Sequence, residues 1–309
     1  MSVDVSIVIV SYNIKEILLN CLHSLRQWPS RLACEIIVVD NASTDDSAEA
    51  AEQSFPEICL LRNATNYGFA KANNQGINKA SGKYLLLLNP DTRFIEDAVT
   101  PVFEFMESHP KAGMAGCKII NSDGSLQSSY FAFNNLLTTT WTALFLNRLA
   151  PLNHVNGKWV LRHEASSAPF RVQKLLGAFL FVRREVFQQI GGFDEGYFLF
   201  SEEEDFCYRV FKKGWTIYYF PLTQIIHLGG QSVANNKSRA LLYANESMIR
   251  FFRKHYGLPT QLLFRTIWFF ALLMRSCSVW LLPASERSAM AKAYLRALAN
   301  LFQSFRKFL

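Results

Sequence analysis

The chain has 309 residues, half of them apolar and 18% charged, which excludes a disordered or fibrous protein and allows a large core in one elaborated domain or two. The net charge of +7 is unevenly spread: from Arg250 onward ten Lys and Arg face the single acid Glu286, so this segment carries +9 and residues 1–249 carry −2. A basic tail on a near-neutral body points to an anionic surface, either lipid headgroups or nucleic acid.

Residues 1–120 alternate strand and helix patterns. Strands are expected over 5–10, 35–40, 58–62 and 84–88, and helices over 14–27, from Ser43 with Asp45 and Asp46 in its first turn, over 68–80 and over 95–108. This alternation implies a parallel, right-handedly connected sheet. Two apolar runs stop on a carboxylate, at Asp40 and, through Asn89-Pro90, at Asp91. Continuous apolar runs read as strands buried on both faces, so both acids fall at strand C-terminal ends, where open α/β sheets bind ligands.

Residues 121–173 read as a loop-rich insertion facing a substrate. A buried strand follows over 175–182, a short helix over 185–190 ending at Gly191-Gly192, a helix from Ser201 to about Lys213, and strands over 216–220 and 224–227. A helix is expected over 236–256. The apolar stretch 262–282 is interrupted by Arg265 and Arg275, leaving about half of the roughly 20 uncharged residues a span needs. In the last helix Leu295, Leu298, Phe302, Phe305 and Leu309 form a stripe opposite Lys292, Arg296, Gln303 and Lys307, the pattern of a helix lying in a membrane interface. The competing reading packs this stripe on the protein's own body or on a partner subunit in a homo-oligomer. The division is therefore a body over 1–235, with halves 1–120 and 121–235, and a basic helical extension over 236–309.

Among candidate residues, Asp91 is placed to hold a hard divalent cation, Mg²⁺ or Mn²⁺, which needs only one or two protein carboxylates when phosphate oxygens fill the rest of its shell. Asp40 and Asn41 sit where a nucleobase or ribose would meet the rim, beside a helix start that favours anions. Between Asn66 and Gly76, Gly68 permits close backbone approach, and Asn73 and Asn74 put amides on a helix where better formers would serve structure alone, which suggests ligand contact. In Ser201-Glu202-Glu203-Glu204-Asp205, Ser201 and Glu204 fit a capping box and Asp205 can pair with Arg209, leaving Glu202 and Glu203 as candidate bases. His227 is a candidate metal ligand or diphosphate contact. Residues 76–84 are not a P-loop: five residues separate the glycines, Tyr84 replaces Ser or Thr, and a strand follows. No GxGxxG occurs, which argues against a dinucleotide oxidoreductase. Six scattered cysteines without a CxxC pair suggest free thiols in a reducing compartment, and the first residues carry no signal-peptide pattern, so a cytoplasmic location is expected.

In order, Val8-Ile9-Val10-Ser11-Tyr12-Asn13, Val38 to Asp45, Asn66-Tyr67-Gly68-Phe69-Ala70, Leu88-Asn89-Pro90-Asp91, Gly177-Ala178-Phe179, Gly192-Phe193-Asp194-Glu195, Glu202 to Arg209 and His227 to Ser232 resemble the family 2 glycosyltransferases of GT-A fold, in their bacterial rhamnosyltransferase-like branch. The resemblance covers about residues 4–232. It implies an α/β fold with a mostly parallel, Rossmann-like sheet flanked by helices, and a nucleoside-diphosphate sugar donor. Ser11, Tyr12, Asn13, Asp40, Asn41, Ser43, Asn66, Gly68, Phe69, Asn73 and Asn89 would border the nucleotide, with Gly177 and Ala178 leaving room for the sugar. It further implies metal at Asp91, where relatives usually carry Asp-x-Asp, and a base at Glu203 beside Glu202, where relatives carry Glu-Asp. The activity implied is inverting sugar transfer to a glycan or lipid-linked acceptor in cell-surface polysaccharide synthesis, on the inner face of the membrane and without nucleic acid. The alternatives are a polyprenyl-phosphate glycosyltransferase and a non-catalytic membrane-surface protein on a degenerate fold.

Overall fold

A computed structural model describes residues 2–161, 166–230, 237–281 and 283–303. The N-terminal part runs β1 (Val5–Ser11), α1 (Lys15–Gln27), β2 (Cys34–Asp40), α2 (Ser47–Ser54), β3 (Cys59–Arg62), α3 (Phe69–Lys79), β4 (Tyr84–Leu88), β5 (Thr92–Phe94), α4 (Val99–Ser108) and β6 (Ala112–Ile120). It continues through β7 (Leu126–Gln127), β8 (Tyr130–Phe131), α5 (Leu136–Ala143), β9 (Asn153–Val155), β10 (Lys158–Val160), β11 (Phe170–Val172), β12 (Lys174–Leu175) and β13 (Phe179–Arg183). Then come α6 (Arg184–Ile190), α7 (Glu202–Lys212), β14 (Thr216–His227), α8 (Lys237–His255), α9 (Leu258–Cys277) and α10 (Ala284–Gln303).

The main sheet has the order β10-β9-β11-β14-β6-β13-β4-β1-β2-β3. Strands β3, β2, β1 and β4 are parallel, β13 is antiparallel to β4 and β6, and β14 runs parallel to β6. The chain winds from β1 outward to β3, then returns to β4 on the other side of β1. This reversal opens a crevice at the strand C-terminal ends. The apolar runs of β1 and β4 are buried throughout because helices cover both sheet faces, and two core clusters form, one on each face.

Several boundaries differ from the sequence expectation. Ser43 does not open a helix: α2 starts at Ser47 after Asp46 in a left-handed conformation, and the Asp45 carboxylate takes the Ser47 N–H and hydroxyl. The expected 95–108 helix is shorter, starting at Val99, where Asp97 Oδ1 accepts from the Val99 and Thr100 N–H groups. Residues 112–120, given no element from the sequence, form the long central strand β6. The expected 175–182 strand divides, with β12 pairing with β8 in a two-stranded sheet and β13 entering the main sheet. The strands expected over 216–220 and 224–227 are one, β14, with a register shift between Phe220 and Gln224. All six cysteines are free thiols, and Cys21, Cys117 and Cys207 are buried.

Helices α8, α9 and α10 build a third core around Phe251, Phe252, Phe264, Trp268 and Leu301, joined by Ala143 of α5. The residues 258–280 have the length and composition of a membrane span, and about a third of that stretch is buried inside the protein. Arg265 is itself buried and donates to the Leu301 carbonyl, while Arg275 donates to the Thr142 carbonyl. Helix α10 packs mainly through Ala293, Ala297 and Leu301; of the predicted stripe, Leu298 is half-buried against this core while Leu295 and Phe302 are exposed. Phe305, Lys307 and Leu309 lie outside the described residues.

Candidate active site

The register brings the predicted rim together. Ser11 lies beside Asp40, Ile9 beside Leu88, and Leu88 beside Phe179, so the ends of β1, β2 and β4 and the start of β13 share one edge. His227 ends β14 opposite Thr92, just past Asp91. The Asn89 N–H donates to the Ala178 carbonyl, and Gly177, one residue earlier, faces Glu203: a Cβ on Gly177 would lie 3.7 Å from the Glu203 Cβ. Residues more than 150 positions apart thus border one crevice.

At the nucleotide end, Asp40 is buried with Oδ2 accepting from the Ser43 N–H at 3.1 Å, while Oδ1 has no partner. The buried Ser11 hydroxyl is also without a partner. An unsatisfied buried acceptor and hydroxyl at a crevice are a costly arrangement unless a ligand completes them. Tyr12 is exposed beside them. The Ser43 hydroxyl accepts from the Asn13 N–H, and Asn13 Oδ1 accepts from the Thr44 N–H, so these two loops brace each other.

The asparagine-rich segment is built differently from the expectation. Asn41 is fully engaged, donating to Asn66 Oδ1 and accepting from Asn63 and the Tyr67 N–H. Asn73 donates to the Phe69 carbonyl, and Asn74 clasps Phe193 through both its amide nitrogen and oxygen. These amides shape the wall, because each already has protein partners. Gly68, at φ 82°, admits backbone, but that of Phe198: a Cβ there would sit 2.6 Å from the Phe198 oxygen. Phe69 bonds the same oxygen through its N–H. Ala178 is wholly buried in the core, so its methyl leaves no room for a sugar; of the expected pair, Gly177 alone opens toward Glu203.

Asp91 and His227 are nearly buried with Oδ1 and Nε2 3.2 Å apart, and the Asn89 amide nitrogen lies 3.5 Å from the same Nε2. His227 Nδ1 contacts Gln127 Oε1 at 2.7 Å, and Gln127 in turn donates to Asn121 Oδ1. An acceptor at Nδ1 puts a ring proton there, so that Nε2 donates to Asp91 when the ring is protonated and offers its lone pair to a cation shared with Asp91 when it is neutral. One carboxylate and one imidazole suit a divalent cation that takes its remaining ligands from phosphate and water. Among the described residues no group of three or more His, Cys, Asp or Glu forms a self-sufficient metal cage. The sequence offered no sign of Gln127, which is 100 residues from its partner.

Four consecutive acids divide their tasks on α7. The predicted capping box is absent: Ser201 sits at φ 60° without a side-chain cap bond, and Glu204, wholly buried, accepts from the Asn134 backbone and amide and from Lys174 Nζ at 3.0 Å. Asp205 does pair with Arg209, at 2.8 Å. Burial raises the Glu202 carboxyl well above its ordinary range, and the neighbouring Glu203 adds to this. Burial raises Glu203 as well, moderated by the Lys174 ammonium and reinforced by Glu204. Lys174, missed from sequence because it falls between the loop-rich insertion and the strand expected over 175–182, is favoured in its charged form by Glu204 and Glu203 against the cost of burial.

Fold and site define a glycosyltransferase of the GT-A type. The family model described as "Glycosyl transferase family 2" matches residues 6–165, and the chain belongs to that family. Residues 160–229 match a second model, "N-terminal domain of galactosyltransferase". The N-acetylglucosaminyl-diphospho-decaprenol L-rhamnosyltransferase of Mycobacterium tuberculosis is 29% identical over 239 residues, 72% of this chain and 76% of that protein. Rhamnosyltransferase WbbL of Escherichia coli is 26% identical over 60% of this chain and 70% of its own. Among solved structures, GalNAc-T7 with UDP, GalNAc and Mn²⁺ aligns at TM-score 0.61 and 16% identity over 98% of this chain, which spans 56% of that one. A mannosyltransferase from Pyrobaculum calidifontis with GDP-Man and Mn²⁺ aligns at 0.60 and 16% identity, over 98% of this chain and 88% of that one.

Proposed function

We propose that the chain transfers rhamnose, with inversion, from a nucleoside-diphosphate sugar to a hydroxyl of a lipid-linked glycan in cell-surface polysaccharide synthesis. The observation that carries this reading is the common edge shared by Asp40, the Asp91–His227 pair and Glu203. Residues 1–120 hold the nucleotide, with Asp40 Oδ1 and the Ser11 hydroxyl free to meet base or ribose and Tyr12 beside them. Residues 121–235 supply the acceptor side, and the helices beyond carry the contact with the anionic inner face of the cell membrane. The lipid-linked acceptor is favoured by the mycobacterial relative, whose name gives N-acetylglucosaminyl-diphospho-decaprenol as its acceptor.

Glu203 accepts the proton of the acceptor hydroxyl as that oxygen attacks the anomeric carbon opposite the diphosphate. The bond from carbon to diphosphate oxygen breaks, and its electron pair leaves with the nucleoside diphosphate. Glu203 is fit for this because its raised pKa strengthens it as a base, while the Lys174 ammonium favours its ionised form. Gly177 keeps the space before it open. A divalent cation held by Asp91 and His227 would offset the charge developing on the leaving diphosphate.

Radiolabelled transfer from a panel of nucleoside-diphosphate sugars to a membrane-lipid extract tests the reading. Glu203→Gln is expected to lower kcat by about 10²-fold or more while nucleotide affinity persists. Wild-type turnover in the Gln variant would remove Glu203 from the reaction.

A further inference from the structure

On the far side of α5, a cavity of about 320 Å³ opens between the loop after α5 and helices α8, α9 and α10. Two guanidinium groups converge in it. Arg148 lies 5.3 Å over the Phe145 ring, and Arg275 lies 5.2 Å from the same ring and 5.0 Å from that of Trp268. Phe145 holds this position at φ 60°, a left-handed conformation unfavourable for an aromatic residue. Arg275 is tied down by its bond to the Thr142 carbonyl. No carboxylate lines the cavity, and among the described residues neither arginine has an ion-pair partner. The remaining wall offers the polar side chains of Thr142, Ser278 and Tyr294. Two like charges beside one ring, with hydroxyls nearby and no acid, form a cradle for the paired oxygens of a phosphate-type anion.

The surroundings are apolar. Leu144 and Leu149 flank the lining residues Phe145 and Arg148, Trp280 follows Ser278 by two positions, and Leu149 and Trp280 are each 76% exposed. A soluble anion would gain nothing from such a rim, whereas a lipid presents phosphate and hydrocarbon together, and Trp suits the boundary between them. We infer that the Arg148–Arg275 cavity is a binding site for the phosphate of an anionic bilayer lipid, with Leu149 and Trp280 entering the acyl boundary beside it. The site rests on the membrane-contact reading above and gives it a specific locus, at which the body's α5 loop and the helical extension meet.

Co-sedimentation of the full chain with phosphatidylcholine vesicles, with and without phosphatidylglycerol, separates the possibilities. Arg148→Glu is expected to reduce partitioning onto the phosphatidylglycerol vesicles about tenfold or more, with little effect on pure phosphatidylcholine, and Arg148→Lys to retain most of it. Trp280→Ser is expected to reduce partitioning onto both. Unchanged thermal melting and nucleoside-diphosphate binding establish that the variants are folded; Arg148 is exposed, and Arg275→Gln provides a second route to the same loss. Wild-type binding that survives both arginine changes overturns the headgroup site and leaves membrane contact standing; a wild-type chain that binds neither vesicle overturns both. If inorganic phosphate stabilises the wild type but not Arg148→Glu, and vesicle binding is equal for the two, the cavity serves a soluble anion and the lipid assignment falls.

Discussion

Glu202 opens α7 with Oε2 buried and without a partner, next to another carboxylate on Glu203. Because its folded pKa is raised, by burial first and Glu203 second, its ionisation costs stability: the contribution of this group is most favourable below the ordinary carboxylate pKa and is lost as pH rises through the raised value. Glu202→Gln keeps the shape and removes the charge. It should therefore match wild type in acid and exceed it by about 1–2 kcal/mol at alkaline pH, measured by urea unfolding across pH. Gln127 acts on a different group. With its amide oxygen on His227 Nδ1, it fixes which ring nitrogen faces Asp91. Gln127→Leu should weaken Mn²⁺ affinity about 10- to 100-fold in an electron paramagnetic resonance titration with nucleoside diphosphate present. Asp40, Asp91 and His227 could be placed at the rim from sequence because each closes or follows a strand, and Glu203 because it falls in the first turn of a helix. Gln127 and Lys174 were not: their meaning comes from partners that lie 100 and 30 residues away.

At the scale of elements, α7 is fastened to α8 by charge. Asp205, with no exposed surface, accepts from Arg209, Lys254 and His255; Lys254 and Arg250 also reach Asp194. The Arg209 guanidinium continues to the Ile190 and Gly192 carbonyls, so one network joins the base-bearing helix, the loop before it and the first helix of the extension. Burial alone would raise the Asp205 pKa, but the hydrogen bonds from His255 and Lys254 outweigh it and hold the carboxyl below its ordinary range. Its contribution to stability is present above the unfolded carboxylate pKa and is lost as pH falls through the folded one. Asp205→Asn should cost about 2–3 kcal/mol at neutral pH, with the deficit shrinking in acid below about pH 4, because the part-buried Arg209 and Lys254 lose the wholly buried carboxylate they share. Sequence spacing disclosed the Asp205–Arg209 pair, four residues apart on one helix, but not Lys254 and His255. Likewise the parallel strands were legible as unbroken apolar runs, while β6 was hidden by its glycines and lysine, Ala112-Gly113-Met114-Ala115-Gly116-Cys117-Lys118, which resemble no strand until β13 and β14 enclose them. The capping box at Ser201 failed because Glu204 is drawn inward by Asn134 and Lys174, a tertiary demand that outweighs a local motif.

Over the whole molecule, charge and apolar surface are segregated together. The segment from Arg250 carries +9 against −2 for the rest, and the same segment exposes Leu258, Leu262, Leu263, Phe270, Leu273, Met274, Trp280, Leu295 and Phe302. Packing in the third core consumes Phe264, Trp268, Ala271, Leu272, Ala297 and Leu301, so the exposed residues are those left over after the helices have buried one face of each. A span is opposed by the same packing: Arg265 and Arg275 are engaged by protein carbonyls within the helical cluster, and the body's own α5 packs against α9. These features together favour a protein that rests on an anionic surface by combined electrostatic and hydrophobic attraction. The electrostatic share, on the order of 1 kcal/mol for each cation near the surface, is screened as the Debye length shortens from about 10 Å at 0.1 M salt to about 3 Å at 1 M. Binding to phosphatidylglycerol vesicles should accordingly fall steeply between these salt concentrations without vanishing, leaving a residual partition set by the apolar residues. Salt-independent partitioning would assign the contact to apolar burial alone, while complete release in high salt would mean that the exposed leucines and aromatics do not enter the bilayer.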